Sequence, residues 1–556
     1  MPGRGQMTLD LSRRAFGLSL TAYLAACQTQ AAPAADVSRK AQGAAALAAM
    51  KRATSFMTDT VAYKGGYVWA YLPDFSRTWG EMEAKRTMLW VQPPGTATMG
   101  HAFLDACHAT GDEQFWRAAV ASTRALVQAQ HPAGGWNYIY DFAGEASLKD
   151  WYATIGANGW RLEEFQHYYG NATFDDAGTA EASQLMLRMH LEGKTQEFKQ
   201  PLEKAIAFVL DSQYPIGGWP QRFPRAQGAS LHGMADYTGY ITFNDDVAGE
   251  NIKFLIMVEQ TMGHAKAADA IRRAMDCFKA TQQPKPQAAW GLHHTVEDLK
   301  PAAARSYEPK AFVTHTSANN ISQLMNFYEL TGDPSYLARV GEALDWLDSV
   351  KLPSSVANAQ RTHPTFIEIG TNKPLYVHRK GSNVVNGAYY VADQLEGSIV
   401  HYSPTRAVRT QQLRDRLAKL QAKSPEEASK NSPLKAKQPL PRFFTTQNIE
   451  VSDLNSNRGS NDGDAPTEDK IAKLLTELNG QGWWPTQIVA TSNPYRGQPA
   501  PTKPPQSTGG VGEPYAMTRV GDATDTSPFI SDNPPIGISV GTYIQNMALL
   551  SQYVSS

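Results

Sequence analysis

Cysteine is nearly absent from this chain, with three in 556 residues. That scarcity argues against a disulfide framework. Neither charge is in excess, since 52 Lys and Arg face 53 Asp and Glu. Without a basic field, nucleic acid is not an expected partner. The apolar run near the N-terminus is too short to span a bilayer comfortably. What remains is globular in composition, at 42% hydrophobic and 19% charged. A chain of this length exceeds one ordinary core unless its architecture is a repeat or a barrel. The 12 Trp and 23 Tyr are read first as packing residues and only then as stacking surfaces for sugars.

A repeat is present. Three amphipathic segments close on a small residue, Gln, any residue and Pro: Ala129-Gln130-His131-Pro132, Ser212-Gln213-Tyr214-Pro215 and Thr281-Gln282-Gln283-Pro284. Trp136, Trp219 and Trp290 follow, then a polar loop, then Thr173, Thr242 and Thr316 opening the next apolar segment. Two loops end in acids, Thr173-Phe174-Asp175-Asp176 and Thr242-Phe243-Asn244-Asp245-Asp246. Helix, turn, loop and helix in repetition predict stacked helical hairpins. If these close into a ring, equivalent loops share one face and the acid clusters meet there.

The N-terminus carries Ser12-Arg13-Arg14-Ala15-Phe16-Gly17-Leu18, a twin-arginine export pattern, and Leu24-Ala25-Ala26-Cys27, which resembles a lipobox. Lipidation at Cys27 and export to the periplasm or outer membrane are expected, against an ordinary signal peptide with a chance Cys. The membrane is then a partner only through that anchor. Cys107 and Cys277 lie in apolar helical patterns and read as buried thiols. Residues 1–40 are therefore set apart as signal and linker.

Residues 41–400 show helical periodicity over, for example, Glu113 to Gln130, Val247 to Met262 and Ala265 to Lys279. Thr110-Gly111-Asp112 and Thr331-Gly332-Asp333 each offer Gly as a C-cap and Asp as the next N-cap. A small hairpin is predicted from Phe366 to His378 around Gly370-Thr371-Asn372-Lys373-Pro374. Residues 401–468 read as a flexible insertion, most polar from about 420. Residues 469–556 read as a last hairpin completing the ring. The fold class expected is all-α: an incomplete (α/α) toroid with long loops and a small β-hairpin, as a monomer.

Asp175, Asp176, Asp245 and Asp246 each precede a helix. Capping explains one Asp of each pair but explains its neighbour poorly. Carboxylates from separate loops repel unless a proton or a cation lies between them, and an all-oxygen cluster favours a hard cation such as calcium. Capping and metal binding both stay open on spacing alone. Arg305 reads either as a structural partner of Glu308 or as a member of the acid rim. Lys279 is placed to favour a helix C-terminus. His293 and His294 lack a partner at helical spacing, which argues against zinc.

Gly217-Gly218-Trp219-Pro220-Gln221, Ile241 to Asp246, Pro301 to Glu308, and Ile369-Gly370-Thr371-Asn372-Lys373-Pro374 followed by Arg379-Lys380-Gly381 occur in an order that resembles polysaccharide lyase family 10, the pectate lyases. The resemblance runs from about Gly134 to Gly381. It implies a toroid with a cleft and β-elimination on a polyuronate, with no covalent intermediate. By motif position, Asp175 and Asp245 take the places of calcium ligands and Arg305 that of the base. Lys279 and Arg379 take those of groups holding substrate carboxylates. Asp176, standing where the family usually has Asn, joins Asn244 and Trp219 as an expected substrate contact. Thr365 replaces a usual Arg, and Leu292-His293-His294 departs from a Gln-His-Asp-like turn.

The residue types suit that chemistry. Holding a uronate carboxylate on cations stabilises the charge that develops as the C5 proton leaves. Arg is an unusual base because its free pKa exceeds about 12, so alkaline activity is expected. Two other functions compete: an (α/α) toroid glycoside hydrolase using Asp175 and Asp245 with water, and a non-catalytic glycan-binding surface lipoprotein.

Overall fold

The computed structural model describes residues 32–226, 235–380, 388–398, 403–445, 466–497 and 524–556. The twin-arginine motif and Cys27 lie outside the described residues. No helix among those described is long and apolar enough to cross a membrane.

Helices come in two kinds, and their burial says where each sits. Helices α2 (Thr96–Thr110), α5 (Gly178–Leu191), α7 (Val247–Met262), α9 (Thr314–Thr331) and α14 (Val540–Ser555) are buried on most of their circumference. Helices α3 (Glu113–Ala129), α6 (Lys199–Asp211), α8 (Ala267–Thr281) and α10 (Val340–Ser349) bury one face. The first kind forms an inner layer and the second an outer layer. Inner neighbours run α14, α2, α5, α7, and each packs its own outer helix: α2 with α3, α5 with α6, α7 with α8, α9 with α10. Helix α1 (Ala32–Phe56) backs α14, so the N-terminal and C-terminal helices form one pair beside α2. Among the described residues five pairs make an arc, an incomplete (α/α) toroid. The short helix α4 (Glu145–Ala153) belongs to the loop between α3 and α5.

The repeat motif has a mechanical role. Indole Nε1 of Trp136, Trp219 and Trp290 donates to the carbonyls of Leu126, Val209 and Phe278 at 2.8, 2.8 and 3.0 Å, pinning each turn to the outer helix before it. Trp484 does the same to Leu474 at 2.9 Å, a fourth copy, in which Leu474 belongs to α13 (Glu468–Glu477). Gln130, Gln213 and Gln282 each bridge two carbonyls, one in their own turn and one at the next outer helix: Pro201, Ala270 and Arg339. Gly217, at φ 104°, sits where an added Cβ would lie 1.9 Å from the Arg273 carbonyl, so only glycine lets the turn approach α8. The expected caps form: Gly111 (φ 71°) closes α2, and Asp112 accepts from the Gln114 amide at 2.8 Å.

The third copy differs from the expectation at Thr316. Amides of Thr173, Thr242 and Val313 donate to the carbonyls of Trp136, Trp219 and Trp290, so Val313 is the equivalent residue. Helix α9 begins at once, at Thr314, without the short turns Asp175–Ala177 and Asn244–Asp246 that precede α5 and α7. The third loop therefore has no counterpart of the acidic turn.

Part of the stretch 401–468 also differs from a flexible insertion. Helix α11 (Thr410–Gln421) packs on α9 and α10, and α12 (Pro425–Ser429) on α9. Beyond them, amides of Phe444 and Thr445 donate to Oδ2 of buried Asp105 at 2.9 and 2.7 Å. Phe444 stacks on His101 and lies 4.0 Å from the Arg188 guanidinium. Asp105 and Arg188 stand near the C-terminal ends of α2 and α5, so this segment covers that end of the arc. A buried carboxylate needs donors, and these amides supply them. Residues 446–465 lie outside the described part.

Candidate active site

All inner helices enter from the same side, because each is joined to the next through an antiparallel outer helix. Their N-termini and the loops before them thus share one face. Two short turns meet there, Asp175–Ala177 and Asn244–Asp246, and pack on each other. Both place two consecutive residues in the left-handed region: Asp176 and Ala177 at φ 51° and 59°, Asp245 and Asp246 at φ 49° and 56°. That conformation is costly for Ala177, and strain of this kind gathers at functional sites. The superposable pairs are Asp175 with Asn244 and Asp176 with Asp245. One oxygen each of Asp175, Asp176 and Asp245 lies within 4.8 Å of the others.

A small sheet delivers the arginine. Strand Ile241–Thr242 pairs with His293–His294, which pairs with Pro301–Ala302. The two histidines thus form the middle strand, and burial pushes both imidazoles down to about 4, so they stay neutral. Because the outer strands lead directly into the two loops, Arg305 arrives beside the acids. Its Nη2 donates to Asp175 Oδ2, Nη1 to Glu308 Oε1 at 3.0 Å, and Nε lies 3.3 Å from Glu164 Oε2.

Charge is concentrated and dry around the arginine. Burial disfavours the Arg305 cation, but the carboxylates of Glu308, Asp175 and Glu164 outweigh it and hold the guanidinium well above its ordinary range. Burial likewise opposes ionisation of Asp175, yet Arg305 keeps its carboxyl below the usual range. Tyr138 also donates to Asp175 Oδ2, whereas Oδ1 is buried with no hydrogen-bond partner among the described residues. An orphaned carboxylate oxygen beside two further carboxylates is a donor set suited to a hard cation. Asp176 accepts from Gln92 Nε2 at 2.8 Å, and Asp245 from Asn244 Nδ2 at 2.7 Å. Asp246 is half-buried. Burial and the neighbouring Glu250 push its carboxyl up to about 7, against donors from Asn319 and Gln323.

Two expected substrate contacts do not belong to this site. Trp219 is fully buried, its indole spent on the Val209 carbonyl, and it belongs to the core. Lys279 lies on the outer helix α8, bridged to Asp276 at 3.0 Å and bonded to Ser335 Oγ at 3.0 Å. Arg379 is in the strand Pro374–Lys380 of the expected hairpin, which pairs with Phe366–Ile367. Its guanidinium lies 5.2 Å from the Trp160 ring centroid. At Thr365 the hydroxyl donates to the Ser403 carbonyl, so that position carries no cation.

Glu164 and Glu163 were not legible as site residues. Glu163 accepts from the Ser306 amide at 2.8 Å, and burial pushes its carboxyl up to about 7. Their one sequence signal was an adjacent acid pair outside any helical pattern, the same signal that marked Asp175-Asp176.

The sequence model of the pectic acid lyase family matches residues 149–394. No curated protein matches the chain. A family 10 polysaccharide lyase from Cellvibrio cellulosa is similar at 17% identity, over 50% of this chain and 84% of that one, with a TM-score of 0.33. A point mutant of a family 10 lyase from the same organism, in complex with trigalacturonic acid, is similar at 18% identity, over 50% and 85%, with a TM-score of 0.32. A D-mannose isomerase is similar at 12% identity, over 60% and 76%, with a TM-score of 0.37.

Proposed function

We propose, from the match of residues 149–394 to the pectic acid lyase family, that the chain cleaves a polyuronate by β-elimination, with pectate as its substrate. The observation that carries this reading is the meeting of Arg305 with buried Asp175, whose carboxylate also belongs to the cluster with Asp176 and Asp245.

In this reading Asp175, Asp176 and Asp245 hold a calcium ion. When bound, the ion supplies positive charge to a substrate carboxylate and so acidifies the neighbouring C5 proton. The chain's own groups do the rest. Arg305 is proposed to take the C5 proton, which requires its guanidinium to be neutral. Glu308 and Glu164 work against that, so the reactive form is scarce until high pH. Tyr138 and Glu308 fix the side chains of Asp175 and Arg305, and the arginine need not reorganise when substrate arrives. Elimination then breaks the C4–O bond and leaves a C4–C5 double bond. The departing glycosidic oxygen takes up a proton from solvent while the C5 proton stays on Arg305 until it is released, with no net consumption of water.

The test is a panel of polyuronates incubated with the protein at alkaline pH, with added calcium or chelator. Unsaturated, ultraviolet-absorbing ends from pectate that vanish on chelation are expected. Reducing ends without that absorbance would instead select a hydrolase, and binding without turnover a glycan-binding protein.

A further inference from the structure

A second cluster of cations lies one aromatic layer from Arg305, and an acid from a distant part of the chain occupies it. Trp160 stacks on Tyr389 with ring centroids 4.8 Å apart and planes 9° apart. Arg379, opposite Tyr389 in the strand register, lies over Trp160, and Arg161 follows Trp160 in sequence. The wall continues to the centre: Tyr389 meets the Tyr307 ring at 5.2 Å, and the Tyr307 hydroxyl donates to Glu164 Oε2 at 2.9 Å, the oxygen that faces Arg305. The aromatics are spent on one another and on Arg379, so what this wall offers an acidic sugar is the pair of guanidinium groups, suited to a carboxylate.

Asp525 lies within electrostatic reach of both arginines and is fully buried. Its segment is held by polar bonds. The Thr526 amide donates to the Asn158 carbonyl at 2.9 Å and its hydroxyl to the Ile155 carbonyl at 2.5 Å. Arg161 Nη1 donates to the Pro528 carbonyl at 3.2 Å, and the Ser527 amide to Asp525 Oδ1 at 2.9 Å. Phe529 and Ile530 are half-buried and stand outside the hydrophobic core clusters. The only strand in the segment is two residues long, Phe529–Ile530 against Ala490–Thr491. The segment is thus fixed mainly by hydrogen bonds and one carboxylate, with Pro528 as its one buried apolar residue, and polar contacts of that kind are ones an acidic ligand can replace.

We infer that residues 524–530 form a displaceable strap in which Asp525 stands in for a substrate carboxylate on Arg161 and Arg379, so that an acidic sugar must expel it to occupy that wall. The inference rests on the polyuronate reading for its ligand but not for the strap itself. Apparent affinity is then reduced by the fraction of molecules whose strap is closed.

The test is amide hydrogen exchange with trigalacturonate as the probe, on the wild-type chain and on Asp525→Asn. In the unliganded variant, exchange over 524–530 should quicken while the helices keep their protection. Its Kd for trigalacturonate should fall about ten-fold, as when a one-in-ten open population becomes the rule. In the wild type, trigalacturonate should slow exchange in the Asp175 and Asp245 loops and quicken it over 524–530. Slowed loops with an unaffected strap would overturn this inference and leave the lyase reading intact. Loops that stay unprotected would remove pectate as substrate, and strap exchange in Asp525→Asn then decides alone, no change being contrary. Failure of that isosteric variant to fold is equally contrary, because a displaceable contact is not needed for folding.

Discussion

Arg305 and Asp175 are separated by 130 positions in sequence and share a hydrogen bond in the buried centre of the molecule, Nη2 donating to Oδ2. Neither residue is positioned by its own neighbourhood alone. A three-stranded sheet through His293 and His294 carries one loop to the other. The pair is one edge of a cluster in which a single guanidinium faces three carboxylates.

Removing that guanidinium should cost both activity and stability. Arg305→Ala is expected to lower kcat by about 10²–10⁴-fold. It should also destabilise by about 3–5 kcal/mol, because three carboxylates remain buried without their cation. Arg305→Lys should recover most of the stability but little of the rate. Thermal melts beside assays of unsaturated product check this, and a folded, fully active Ala variant would exclude Arg305 as base.

Glu308→Gln separates a base from a mere counter-charge. Carboxylates raise the Arg305 pKa, so removing one lowers it. If the neutral guanidinium is reactive, its fraction at a given pH increases and the alkaline limb of kcat/KM moves to lower pH. A shift of one unit makes the rate at fixed pH about ten-fold higher. A variant that only loses rate, at every pH, points to Arg305 acting as a fixed cation.

Asp176 and Asp245 occupy equivalent places in the two turns, and their neutral variants should act alike. Asp176→Asn and Asp245→Asn are each expected to weaken calcium binding about ten-fold or more by calorimetry, with little change in melting temperature without the ion. Unchanged affinity in both would remove calcium from this site.

Asp246 makes stability depend on pH. Its folded pKa is raised to about 7, so the neutral acid is the form the fold prefers. The penalty is absent below the unfolded value near 4, grows as pH rises, and is complete above about 7. Asp246→Asn should therefore melt about 2 °C or more above the parent at pH 8 and level with it near pH 4. Equal melting temperatures at both pH values would contradict the raised pKa.

Trp219 and Lys279 provide controls. Trp219→Ala should cost about 3–5 kcal/mol as a core cavity, and Trp219→Phe should leave KM for pectate unchanged. Lys279→Ala should fall within about 0.5 kcal/mol of the parent and keep its kinetics. A large rise in KM for Lys279→Ala would return that residue to the substrate site.

Much of this was legible in order and spacing. The hairpin repeat, the Gly-Asp caps, the small hairpin around Gly370 and the acid loops follow from short-range chemistry, because a cap or turn is fixed by residues within a few positions. The repeat's tryptophans were legible as a pattern but ambiguous in purpose. An indole after a Gly-Gly turn serves a sugar or a core equally well until its depth is known, and in Trp136, Trp219 and Trp290 the depth chose the core.

The linear sequence determined which consecutive helices form hairpins, where their loops begin and which loops bear acids, since each depends on neighbours in the chain. Tertiary structure alone decided that Glu164 joins Arg305, that Lys279 is left on the outer layer, that α1 and α14 pair, and that Asp525 faces Arg161 and Arg379. Those relationships join residues tens to hundreds of positions apart. They are fixed by how layers pack and by the need of buried charges for counter-charges, which no local pattern records.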